Sequence, residues 1–284
     1  MATTISPLRL LRSWVNALLP DDVKARLREL PLRQNEYGFD SFGFSPEDAK
    51  LALLVAHFFY RHYFRVELHG LENIPDGRML LVANHSGQLP FDGMMLAAAL
   101  ALDRTPPRLL RATIERFVPT APLISYLFPR WGQVIGSPEN VIRLLADGEA
   151  ILVFPEGSRG ISKPFSQRYQ LQEFGLGFVR LALATHAPVV PTAVIGAEEQ
   201  APAFNLKPLA RLLRLPAFPM MLTPPFFPIL PYPTKYRIYF GEPRNLVGDP
   251  DDEDEEIRES AREVRNCIES MIHIGLKERR HVFW

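Results

Sequence analysis

Two short apolar runs, each leading into a polar, glycine-bearing motif, constrain this chain more than any other feature. Met79-Leu80-Leu81-Val82-Ala83 leads into Asn84-His85-Ser86-Gly87-Gln88-Leu89-Pro90-Phe91-Asp92. Ala150-Ile151-Leu152-Val153-Phe154 leads into Pro155-Glu156-Gly157-Ser158-Arg159-Gly160. Both runs read as strands buried on both faces. Open α/β sheets keep their chemistry where such strands end. The runs therefore predict a histidine, two carboxylates and an arginine gathered at two strand ends.

The rest of the chain supplies the helices such a sheet needs. After Met79–Ala83 come a helix near 93–102, a strand near 109–113, helical pieces to about Leu127 and a helix from Asn140 to Ala146. After the second run come a helix over roughly 174–185, a strand from Val189 to Val194, a last strand from Tyr236 to Phe240 and a closing helix over about 252–278. Arg65–His69 alternates like a strand and ends at Gly70. Strands alternating with helices predict an α/β fold, with a mixed, mostly parallel sheet flanked by helices. Met94, Met95, Leu96 and Leu100 read better as plain core than as the lining of an apolar channel.

The first 64 residues read as a helical, membrane-associating region, and 65–284 as the α/β domain. Leu8, Leu11, Trp14, Val15, Leu18 and Leu19 share one face of a helix over 7–19, opposite Arg9, Arg12, Ser13 and Asn16. That pattern suits a helix lying in a membrane interface, and equally one packed on its own protein. Ser45-Pro46-Glu47-Asp48 is a good helix start, with a serine cap, proline at the first helical position and acids in the first turn. The helix it opens is expected to reach about Phe64. Residues 215–234 hold seven prolines and no charge, so they are not helical. With Lys207, Arg211 and Arg214 just before them, they suit contact with anionic lipid, and a loop buried against the core fits the same composition.

Composition excludes several classes. Lys plus Arg and Asp plus Glu are 32 each, so no net field points to nucleic acid. A single cysteine, Cys267, rules out an internal disulfide and a multi-cysteine metal site. Its apolar position on a charged helix reads as structural. No uncharged, proline-free run reaches the length of a membrane span, and no signal-peptide order opens the chain.

The motifs themselves carry acid–base chemistry. A neutral imidazole removes a proton from an alcohol best when a carboxylate orients its other nitrogen. His85 with Asp92 downstream offers that pair, without an obvious nucleophile. The pair therefore suits direct attack by a substrate hydroxyl on an activated acyl group. A histidine satisfied within a turn, with Asp92 capping the next helix, fits the same residues. Glu156-Gly157-Ser158-Arg159-Gly160 makes a tight turn that presents an arginine fork to a phosphate or carboxylate. A structural Glu156–Arg159 pair is the other reading. Lys163 and Arg168 are expected to extend the basic surface.

Asn-His with a nearby Asp, then Phe-Pro-Glu-Gly-Ser-Arg, then Val189-Val190-Pro191-Thr192-Ala193-Val194 resembles the glycerolipid acyltransferase superfamily over roughly residues 65–245. Six residues separate His85 from Asp92, where the family pattern has four. Gly-Gln-Leu-Pro-Phe-Asp more closely resembles the branch related to diacylglycerol acyltransferases. The arginine that members using glycerol 3-phosphate carry between the motifs is absent from Gly132-Gln133-Val134-Ile135-Gly136-Ser137-Pro138. This weakens glycerol 3-phosphate as acceptor and leaves a lysophospholipid, a glyceride or another lipid alcohol.

The resemblance implies that His85 is the base and Asp92 its orienter. It implies that Glu156, Gly157, Ser158 and Arg159 bind substrate. The acyl donor would be acyl-CoA or acyl carrier protein, with no metal and no cofactor. It also implies a peripheral position on the cytoplasmic face of a membrane, whose lipid surface is the partner. A thioesterase at the same dyad and a disabled lipid-binding protein are the rival readings.

Overall fold

The computed structural model describes residues 7–85, 90–114, 122–161, 163–205, 219–221 and 230–284. In chain order its strands are β1 (Glu67–His69), β2 (Met79–Ala83), β3 (Leu110–Ile114), β4 (Val134–Ile135), β5 (Ala150–Val153), β6 (Val189–Ile195), β7 (Ala203–Asn205), β8 (Pro219–Met221) and β9 (Arg237–Phe240). The helices are α1 (Pro7–Leu18), α2 (Asp21–Glu29), α3 (Pro46–Phe58), α4 (Phe91–Leu102), α5 (Pro122–Arg130), α6 (Pro138–Ala146), α7 (Ser158–Ile161), α8 (Gly177–Thr185), α9 (Ala197–Gln200) and α10 (Asp254–Glu278).

Seven strands form one sheet in the order β1-β9-β6-β2-β5-β3-β4, and β7 with β8 forms a separate antiparallel pair. From β6 to β4 all neighbours are parallel. β9 joins β6 antiparallel, and β1 runs parallel to β9. The sheet is thus mixed and mostly parallel, flanked by helices on both faces.

Strand periodicity assigns the faces. Met79, Leu81 and Ala83 pack with Met95, Leu96 and Leu100 of α4, and with Tyr60 and Phe64. Leu80 and Val82 pack on the opposite side with α6, α8 and Ile257, Val264, Ile268 and Ile272 of α10. Every residue of β2 is fully buried, as a central strand between two helical layers requires. Met95, Leu96 and Leu100 are core, as their sequence reading favoured.

Register brings the two motifs level. Val82 pairs with Val153 across β2 and β5, so His85 and Glu156 each lie three residues beyond that pair. β6 flanks β2 on the other side, with Ala83 opposite Thr192. Three parallel strand ends therefore converge on one place.

The N-terminal helices add to one layer of this core. Ser45 caps α3, accepting the Asp48 N–H at 3.4 Å. The α-helix stops at Phe58, earlier than expected, and widens into a π-turn over Phe59–Tyr63 closed by the Phe64 N–H on the Phe59 carbonyl at 2.7 Å. The wider turn leaves both Tyr60 and Phe64 fully buried. Arg65, with φ of +46°, breaks the strand expected there, so β1 begins only at Glu67.

The apolar stripe of α1 is wider than the protein covers. Val15 and Leu19 point inward at 6% and 2% exposure, while Leu11, Trp14 and Leu18 remain 50%, 67% and 63% exposed. Among the described residues, no helix is long and apolar enough to cross a membrane. Most of the proline-rich stretch 215–234, and Leu206 to Leu215 before it, lie outside the described residues.

Candidate active site

The first motif leaves the sheet through an unusual rung. Asn84 follows the last residue of β2 and is fully buried. Its side-chain amide donates to the Val194 carbonyl at 3.0 Å and accepts the Val194 N–H at 2.7 Å. A side chain thus completes the ladder to β6 where the backbone has turned away. This holds the backbone at the residue before His85.

Beyond it, His85 Nδ1 lies 2.7 Å from Asp92 Oδ2. The six intervening residues do not prevent contact. Asp92 sits in the first turn of α4, where a helix favours negative charge, and its other oxygen accepts the Gly93 N–H at 2.7 Å. The Asp92 side chain is wholly buried, whereas the His85 side chain keeps 16% exposure. Ser86 to Leu89 lie outside the described residues. Phe154 stacks on the imidazole, with ring centres 4.0 Å apart and planes within 14°. Gly93 lies against that ring, and a Cβ there would make an ordinary van der Waals contact with Phe154 at 3.6 Å.

The second motif grips the first. The His85 N–H donates to Glu156 Oε1 at 3.0 Å. Glu156 Oε2 accepts the Gln172 N–H at 2.7 Å and lies 3.5 Å from Lys163 Nζ. Gly157 takes φ of +56°, in the region that favours glycine, and closes the turn by donating to the Phe154 carbonyl at 3.0 Å. That N–H is committed and is not a donor for a developing oxyanion. Gly160 presses on the histidine, because a Cβ there would stand 2.9 Å from the His85 carbonyl and 3.0 Å from its Cβ.

These surroundings set the charge of the histidine. Burial alone lowers its pKa, but the Asp92 charge and hydrogen bond, with Glu156 behind them, outweigh burial and leave it raised. An ionised Asp92 assigns the proton to Nδ1, so in the neutral ring Nε2 is the basic nitrogen.

Glu156 and Arg159 do not pair. Arg159 is 56% exposed and donates to the Glu173 carbonyl at 3.0 Å, with the Glu173 carboxylate 3.7 Å away. It stands at the surface, three residues along the chain from Glu156. The Ser158 backbone opens α7, and its side chain is outside the described residues. Lys163 was expected on the basic surface, but only 2% of its side chain is exposed, because Glu156 and Glu198 draw its ammonium inward. Arg168 does remain exposed, over the Phe165 ring.

The sequence reading named His85, Asp92, Glu156, Gly157, Ser158 and Arg159. It gave no role to Asn84, Phe154, Gly160 or Glu198, and it placed Lys163 on the basic surface instead of buried against Glu156 and Glu198. A usable signal existed for Glu198: Ala197-Glu198-Glu199-Gln200 follows a third buried run, at the same end of the sheet. Among the described residues, no group of three or more His, Cys, Asp and Glu side chains is placed to hold a metal.

Comparison with known proteins adds to this geometry. A family model described as Acyltransferase matches residues 65–195, which span both motifs and β6. An uncharacterized protein of Mycobacterium tuberculosis is 40% identical over 262 residues, covering 88% of this chain and 72% of that protein. A probable 1-acyl-sn-glycerol-3-phosphate acyltransferase of Mycoplasma pneumoniae is 30% identical over 155 residues, covering 52% of this chain and 55% of that protein. The crystal structure of PlsC, the 1-acyl-sn-glycerophosphate acyltransferase of Thermotoga maritima, shares the fold with a TM-score of 0.50 at 19% identity. That match covers 92% of this chain and 94% of that one.

Proposed function

The chain belongs to the glycerolipid acyltransferase superfamily, and from that premise we propose that it moves a fatty acyl group from an acyl-CoA or acyl-carrier-protein thioester to the hydroxyl of a lysophospholipid or glyceride. It is an acyltransferase acting in lipid metabolism. The observation that carries the finer reading is the 2.7 Å contact between His85 and Asp92 beside the Glu156 turn.

In this mechanism Asp92 holds the ring so that Nε2 faces the acceptor. Nε2 takes the hydroxyl proton as the oxygen attacks the thioester carbonyl. The tetrahedral intermediate collapses by breaking the carbon–sulfur bond, and the thiolate recovers the proton from the imidazolium. Arg159, exposed at the surface, is the fork for an acceptor phosphate. Glu156 acts one step back, because its oxygens already serve the His85 and Gln172 amides. It holds the histidine turn rather than the acceptor.

Purified protein given acyl-CoA and a panel of lysophospholipids and diacylglycerols should release CoA only when an acceptor is present. Release without acceptor supports a thioesterase, and no release with any donor or acceptor supports a disabled lipid-binding protein.

The exposed Leu11, Trp14 and Leu18 support a second element of the reading: residues 1–64 seat the 65–284 domain on the cytoplasmic face of a membrane, peripherally. Trp14→Glu should weaken pelleting with anionic liposomes several-fold without changing thermal unfolding. Unchanged pelleting would remove α1 from the membrane contact.

A further inference from the structure

Lys163 is the least accessible ammonium near the site, and nothing in the acyl-transfer chemistry calls for it. Its nitrogen lies 3.0 Å from Glu198 Oε1, 3.3 Å from the Gln170 carbonyl and 3.5 Å from Glu156 Oε2. An ammonium has three donors, and these are three acceptors. The side chains of Lys163, Glu156 and Glu198 keep 2%, 0% and 6% exposure. Charges so deeply removed from water persist only when paired and hydrogen-bonded.

The cluster joins two strand ends. Glu156 follows β5 and grips the His85 amide, while Glu198 follows β6. The segment between them is stapled along its length. The Tyr169 N–H donates to Glu198 Oε1 at 3.1 Å, and the Tyr169 hydroxyl donates to Glu199 and accepts the Gly196 N–H at 2.8 Å. Arg279, from beyond α10, closes the set on Glu199 at 2.8 Å.

We infer that Lys163 is a positioning residue for acyl transfer: its ammonium clamps Glu156 to the end of β6, fixing the His85 backbone and offsetting the carboxylates that surround His85. The inference rests on the proposed role of His85 as base. The charged groups facing the imidazole are Asp92 from α4, Glu156 from the turn after β5 and Lys163 from the segment after α7. Asp92 and Glu156 favour the imidazolium, and Lys163 opposes it. Without Lys163, two carboxylates and no cation remain near the ring, so less of the neutral base is present at a given pH. A residue that merely stiffened the loop would leave that balance alone.

The test uses the full chain and two readouts: the pH dependence of kcat with acyl-CoA and an active acceptor, and the His85 titration followed by NMR of ring-labelled histidine. Lys163→Met should lower kcat about 10- to 100-fold at neutral pH, and move both the acid limb and the His85 titration to higher pH. Lys163→Arg should restore the limb toward its wild-type position. Glu198→Gln keeps the side-chain shape and removes a negative charge, so it should move the titration downward. That variant keeps the inference testable if Lys163→Met fails to fold. A His85 titration unmoved in the folded variants overturns the inference. A wild-type protein that transfers no acyl group would instead defeat the functional reading, while the titration still decides the role of Lys163.

Discussion

His85→Ala should lower acyl transfer by about 10²- to 10⁴-fold, the range supplied by a positioned acid–base group, with the fold retained. The ring sits at a strand end, partly exposed, so its loss leaves the sheet core closed and the protein folded, while the buried Asp92 loses a partner and the unfolding transition falls by a few degrees. Retained activity would remove His85 from the chemistry. The pH dependence has a definite sign. The folded-state pKa is raised, so the active neutral base accumulates only as pH climbs past the ordinary histidine range, and the acid limb of kcat/KM should lie above it. The stability contribution runs the other way. It is full below the unfolded pKa and is lost as pH rises through the folded one. Asp92→Asn removes the main raising charge, so its residual activity should show an acid limb displaced to lower pH. A limb that stays in place would mean another group titrates.

Glu156→Ala should be the more damaging change to the fold, and it should lower the rate as well. It leaves the His85 and Gln172 amides without their acceptor and takes one of two carboxylates from a buried ammonium. Breaking a buried ion pair from one side costs about 3–5 kcal/mol, which chemical denaturation would register. The kinetic signature separates the two roles that Glu156 can hold. A strut behind the histidine predicts a fall in kcat with little change in the KM for acceptor. A direct contact to the acceptor predicts that KM rises first. Glu156→Gln does not rescue fully, because its amide nitrogen must face either a backbone N–H or the Lys163 ammonium, donor against donor.

Much of the site was legible because two of its motifs are local in sequence. A strand, a turn and a helix start are set by adjacent residues, and the run Phe154-Pro155-Glu156-Gly157 closes its turn through its own backbone. The His85–Asp92 pair was legible for the same reason, despite its unusual spacing. Lys163 was misjudged as surface because a lysine among polar residues normally is. Its burial depends on Glu198, 35 positions away, which only the sheet order brings near. Arg159 likewise finds Glu173 rather than the glutamate three positions before it.

Strand and helix order, the two-sided burial of β2 and the nearness of His85 to Asp92 followed from the chain alone, since they depend on periodicity and on neighbours a few residues apart. Tertiary structure alone decided which strands lie side by side, that β9 runs against β6, and that Glu156 serves the histidine instead of the arginine. Those outcomes turn on pairing between distant segments, where the burial of a charge is settled by whichever counter-charge the packing delivers.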